Sequence, residues 1–157
     1  MAAKSRVHRE RPVADDVADC IETTWTGHLP TTQRRLGAIF QRAAAGAGDF
    51  TSQERALVLI CEFRAAVVAR ELDASWRSKT DASLRAAIAV SGAIGLAEVA
   101  KALTDARRDL GGSVTPAFRR RRLKALERRL LGLKVPVDQR IDRFAKTIPR
   151  QISSHTA

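Results

Sequence analysis

The chemistry this chain can do is concentrated in a fourfold arginine run, Arg119 to Arg122, and it is cationic. A guanidinium presents N–H donors in a planar fork that fits two oxygens of one phosphate. Arg107 and Arg108 precede the run, and Lys124, Arg128 and Arg129 follow it. Across 157 residues, 28 Lys and Arg face 17 Asp and Glu, a net charge of +11. Residues 107–157 hold 14 basic and 4 acidic side chains, so +10 of that excess lies in the last third of the chain. Such asymmetry points to a polyanionic partner, with duplex DNA expected ahead of RNA. Arg120 and Arg121 are the expected base readers. Arg107, Arg108, Arg119, Arg122, Lys124, Arg128 and Arg129 are the expected phosphate ligands, and Thr115 caps the helix that presents them.

Other chemistries find little support. His8, His28 and His155 have no Cys, Asp or Glu at metal-ligand spacing. Asp15, Asp19 and Glu22 share a helix face, where acidic residues favour the positive helix start rather than a cation. The glycine-rich stretches lack the Lys-Ser/Thr of a phosphate loop. Cys61 lies in the most apolar segment, which makes its thiol a poor nucleophile. We therefore expect no enzyme, no metal and no cofactor. Cys20 and Cys61 are expected as reduced thiols in a cytoplasmic setting, associated with the nucleoid if the chain binds DNA. No apolar run is long enough to span a bilayer, so no membrane partner is expected.

The elements that must position the arginines all read as helices. Alanine, leucine and arginine dominate, tyrosine is absent, and period-two alternation is rare. The expected class is all-α, a bundle of six or seven helices with at most a minimal two-strand wing near Lys134 to Val137. Val13, Val17, Ile21 and Trp25 recur every four residues in a first helix from Pro12 to about Thr26. Thr31 or Thr32 can cap a second, with Leu36, Ile39, Phe40 and Ala43 on one face. Thr51-Ser52-Gln53-Glu54 is a capping box opening a helix to about Leu72. That helix is apolar around more than half its circumference, which predicts a central position and leaves a homodimer seam through 52–72 as a second use. Ser75 to Thr80 reads as a connection.

Helical periodicity resumes at Asp81, breaks at Leu110-Gly111-Gly112-Ser113, and restarts at Thr115-Pro116 with a cap and a proline at the first position. Val135-Pro136-Val137 reads as extended, and 138–147 as a short helix. The expected organisation is a flexible basic arm (1–11), an N-terminal helical core or dimerisation part (12–75), a basic part (81–148) and a loose tail (149–157).

The stretch LRAAIAVSGAIGLAEVAKAL, TDARRDLGGSV, TPAFRRRRLKALERRLLGLKV resembles the helix-turn-helix of LysR-type and related winged-helix regulators. Leu84 to Val90 matches the first helix, and Leu96, Val99, Ala100 and Leu103 match the second. Thr115, Pro116 and Ala117 open the recognition helix, and Leu123, Lys124, Leu126, Glu127 and Leu130 close it. The resemblance covers about 50 of 157 residues and implies a DNA-binding regulator that reads the major groove with 116–131. Two other readings use the same helix. One is a helical protein gripping RNA or DNA backbone without sequence preference, and the other is a basic adaptor for an acidic protein.

Overall fold

The computed structural model describes residues 28–46 and 49–150. Seven helices follow one another among the described residues: α1 (Pro30–Ala44), α2 (Ser52–Val68), α3 (Leu72–Ser78), α4 (Asp81–Ala93), α5 (Ala97–Asp109), α6 (Pro116–Leu131) and α7 (Val137–Thr147). No strand occurs among the described residues, so the protein is all-α and Lys134 to Pro136 is a plain connection, not a wing. The helix expected over 12–26, the arm 1–11, Cys20 and tail residues 151–157 lie outside the described residues.

Threonine caps open three of the seven described helices, and two of them, Thr51 and Thr115, stand where the sequence predicts. The Thr51 hydroxyl accepts from the Glu54 N–H at 3.1 Å while the Glu54 carboxylate accepts from the Thr51 N–H at 3.1 Å. Thr80 and Thr115 cap α4 and α6 by accepting from the Ser83 and Phe118 N–H groups. α1 departs from expectation. It begins at Pro30 with Leu29 as N-cap, and neither Thr31 nor Thr32 caps it. Instead the buried Asp142 carboxylate of α7 accepts from the Thr32 N–H (2.9 Å) and hydroxyl (3.0 Å). A carboxylate from a distant helix thus satisfies donors that a local side chain normally takes.

The stretch from 69 to 80 also differs. α2 stops at Val68 rather than Leu72, through a Schellman turn in which the Glu71 and Arg70 N–H groups return to the Ala66 and Val67 carbonyls. Arg70 takes the left-handed conformation there, φ 60°, usually reserved for glycine. The expected connection 75–80 is largely helix α3, because Leu72 and Trp76 drive their side chains into the core and outweigh the polar composition. Trp76 meets Phe63 edge to face at 6.4 Å between centroids. The Leu72 N–H donates to the buried Glu127 carboxylate of α6 at 2.9 Å. Between α4 and α5 a second Schellman turn passes through Gly95 at φ 83°. The positive φ calls for glycine, and a Cβ there would also lie 3.1 Å from the Arg140 guanidinium, which would have to move slightly.

α2 is the spine. It packs against α1, α3, α4, α6 and α7, every described helix except α5. Its first half (Leu57, Val58, Ile60, Cys61) belongs to a cluster with Leu36, Ile39 and Phe40 of α1 and Ile141 and Ala145 of α7. Its second half (Phe63, Ala66, Val67) belongs to a cluster with Trp76, Leu84, Leu103, Leu123 and Leu126. Of the expected seam positions Leu57, Ile60, Arg64, Val67 and Glu71, the three apolar ones are covered by neighbouring helices of the same chain, Arg64 is half-buried and Glu71 is exposed. Leu59 is half-buried, while Ile60 and Phe63 are buried.

Phe63→Ala is expected to lower unfolding free energy by ~3–5 kcal/mol in a denaturant titration, because a fully buried ring is removed from beside Trp76. Arg70→Gly is expected to raise it by about 1 kcal/mol, since only the backbone strain changes at an exposed position. Glu127→Ala should cost ~1.5–3 kcal/mol through loss of the charged acceptor at the start of α3. Glu127→Gln, which keeps an acceptor oxygen, should cost clearly less in the same titration.

Candidate nucleic-acid interface

α6 docks with Leu123, Leu126 and Glu127 inward and Leu130 half-buried behind them. One face is therefore committed to the core, and the seven basic residues of this helix divide over what remains. Arg119 lies in line with the leucines, and its Nε donates to Asp73 of α3 at 3.1 Å. Arg122 donates to Asp109 at 2.8 Å and Arg129 to Asp105 at 3.1 Å, both on α5. These three expected phosphate ligands act as struts between helices.

The pair preceding the helix is committed as well. Arg107 grips Asp81 of α4 with two parallel bonds, Nε to Oδ1 at 2.7 Å and Nη2 to Oδ2 at 2.9 Å. Arg108 lies 3.6 Å from both Asp105 and Asp109, largely exposed. The hydrogen bond from Arg107 holds the Asp81 carboxyl below its ordinary range and in turn raises the Arg107 guanidinium. The hydrogen bond from Arg122 likewise lowers Asp109. Exposed pairs of this kind contribute little stability individually, but together they fix α4, α5 and α6 in register.

Arg120, Arg121, Lys124 and Arg128 remain. All four are exposed, and none makes an ion pair among the described residues. Arg128 only folds back to donate to the Lys124 carbonyl at 3.4 Å. Spacing of i, i+4 and i+8 puts Arg120, Lys124 and Arg128 in one row along the helix, with Arg121 beside it. Thr115 closes the exposed start of α6, where the unpaired backbone N–H groups carry partial positive charge. Phe118 and Leu131 add exposed apolar surface near the two ends of the helix.

Of the nine cations named from sequence, the structure therefore gathers four on one outward face and ties five to carboxylates. The sequence reading overlooked those carboxylates. Asp105 and Asp109 are four apart, which places both on one face of α5, and that spacing was the available signal of an acidic ridge facing the arginine helix. α6 packs on α5, α3 and α2, and α4 packs on α5 and α2, while the backbones of α4 and α6 are not neighbours. α5 and α6 are joined by residues 110–115.

Just before α1, His28 is buried beside Arg64 of α2 and Asp138 of α7, and Arg64 Nη2 donates to Asp138 at 2.6 Å. Burial lowers the His28 imidazole below its usual value, Arg64 lowers it further, and Asp138 partly opposes them. For Asp142, burial pushes upward but the two Thr32 hydrogen bonds and Lys146 outweigh it, leaving the carboxyl low. No group of three or more metal-ligating side chains occurs among the described residues. None of their helices is long and apolar enough to cross a membrane. No family model, curated protein or solved structure matches the chain.

Both shifts act in the same direction with pH. The unfolded chain takes up a proton on His28 first, so stability falls as pH drops below the ordinary histidine value of 6.5. It falls again once the pH passes below the ordinary carboxyl value of 3.8, where the unfolded chain protonates Asp142 before the folded one does. A melting temperature that declines between pH 7 and pH 5 is expected, and His28→Gln should flatten that decline.

Proposed function

We propose that this protein binds nucleic acid through the outward face of α6, with duplex DNA as the preferred form. The observation that carries this reading is the row Arg120, Lys124 and Arg128, with Arg121 beside it, exposed and without carboxylate partners among the described residues. The neighbouring arginines meanwhile neutralise the acidic residues of α3, α4 and α5. Four cations held together at one surface repel one another, and a polyanion bound there relieves that repulsion. The row spans about 12 Å of helix axis, enough to meet several phosphates of one strand. The exposed, capped start of α6 is the part of a recognition helix that approaches base edges, and the likeness of 84–135 to winged-helix regulators supports the duplex assignment. Arg120 and Arg121, nearest that start, are the base-reading pair in this account.

A sequence-blind backbone clamp is the second reading. It is favoured by the same single row, because cations aligned along one helix edge follow a phosphate chain as readily as they enter a groove. Arg120→Ala with Arg121→Ala, measured on specific and random duplex over a range of salt, separates the two. Lost affinity with flattened sequence preference supports base reading. A uniform loss, with the log–log salt slope shallower by about two phosphate contacts, supports the clamp. Arg122→Ala with Asp109→Ala removes a strut at constant net charge and should leave the slope unchanged. Absence of duplex, single-strand and RNA binding by the unmodified protein at low salt would end the nucleic-acid reading and leave an acidic protein as the partner.

A further inference from the structure

α7 packs on α1 and α2 but not on α4 or α5, so α7 and the turn joining α4 to α5 stand apart. A cleft of about 320 Å³ occupies the space between them, lined by Ile94 and Gly95 of the turn and by Arg140, Arg143 and Phe144 of α7. Its apolar wall is Ile94 and Phe144, half-buried side chains that rest on the core cluster containing Val90 and Ile141. Its polar wall is cationic. Arg140 is half-buried and Arg143 exposed, and neither side chain has an ion pair or hydrogen bond among the described residues. Thr147, which also lines the cleft, spends its hydroxyl proton on the Phe144 carbonyl at 2.7 Å, so the arginines are the side-chain donors left to the cleft. Gly95 lets the Arg140 head come close to the turn. A Cβ there would meet Nη1 at 3.1 Å, the central guanidinium carbon at 3.5 Å and Nε at 3.9 Å, which leaves Nη2 farthest from the turn.

We propose that this cleft binds a small organic carboxylate with an apolar body, an aryl or branched-chain acid. The planar guanidinium fork of Arg140 matches the two coplanar oxygens of a carboxylate, and a half-buried fork binds them with less competition from water than an exposed one. Arg143, three positions further along α7, stands on the same side of the helix and adds a second positive charge at the cleft. Ile94 and Phe144 supply the apolar contact. A bare inorganic anion would leave both side chains wet, whereas a ring or branched chain covers them. The volume lies at the small end of the range for ligand sites, roughly 300–1,000 Å³, which suits one ring with its acid group. Arg140 and Arg143 belong to α7, so the site does not depend on the nucleic-acid reading of α6.

The test is an NMR titration of the full-length chain with benzoate and with isovalerate, at constant ionic strength and pH. Saturable shifts are expected at the amides of 93–95 and 140–147 with both acids. Benzyl alcohol, which keeps the ring and loses the charge, and inorganic phosphate, which keeps charge and loses the apolar body, should each bind more weakly. Arg140→Gln should weaken benzoate about tenfold or more, the loss of a charge-assisted pair. Arg140→Lys, which keeps the charge but not the fork, should also bind more weakly than the unmodified chain. Arg34→Gln removes an exposed cation of α1 and should leave binding as it was, which excludes general attraction to a basic protein. The amide spectrum of each variant reports whether it is folded. Absence of saturable shifts at these positions, equal binding of benzyl alcohol, or undiminished binding by folded Arg140→Gln would overturn the proposal. Inorganic phosphate or a DNA duplex shifting the same amides as tightly as benzoate would overturn it too, and would assign Arg140 and Arg143 to phosphate.

Discussion

A helix that is apolar on most of its circumference is stable in water only when neighbours cover it on most sides, and α2 imposes that requirement on the whole chain. Its two halves lie in two different apolar clusters. α1 and α7 answer the first half, and α3, α4 and α6 answer the second. The seven described helices are arranged around that demand. α7, the last described helix, returns to the first, and the short α3 exists because Leu72 and Trp76 complete the cover over Phe63.

Two buried carboxylates then fix the orientation of helices that apolar packing alone would leave free to slide. Asp142 on α7 receives two hydrogen bonds at the start of α1, and Glu127 on α6 receives one at the start of α3. The geometry is the same in both places: a negative group from another helix meets unsatisfied N–H donors at a positive helix end. A carboxylate in an apolar setting tolerates little displacement, because a buried charge without donors is costly. These contacts set register because they are directional, whereas apolar leucine and alanine contacts are not. Glu54 plays a related part, joining its own helix start to Arg42 of α1.

Charge pairing also decides what the outside of α6 can do. Acidic residues on α3, α4 and α5 take up Arg119, Arg107, Arg108, Arg122 and Arg129, and what is left exposed is a narrow basic row. That row and the capped start of α6 make a smaller and more directional surface than the net charge suggests, and it is the one the proposed partner would meet. The same division explains why a basic chain can hold α6 close to its neighbours: the arginines nearest the interior are neutralised and the others point into water.

Much of this protein was legible in its amino-acid order. Continuous helical periodicity set the class, the Thr51–Glu54 and Thr115–Pro116 signals set two helix starts, and the all-round apolar pattern of 52–68 marked the spine. Each depends on residues within a few positions of one another, where covalent spacing alone brings the groups together. The remainder was decided by residues far apart in the chain. Helix α3 was hidden behind a polar composition, because its cause is the cluster that receives Trp76. The start of α1 was set by Asp142, 110 positions from Thr32, which no local window contains. The arginines were countable from the sequence, but which of them would face solvent was not. That choice belongs to the packing of α6 against α3 and α5, which brings Asp73, Asp105 and Asp109 within reach of three of its arginines and leaves four other cations beyond it.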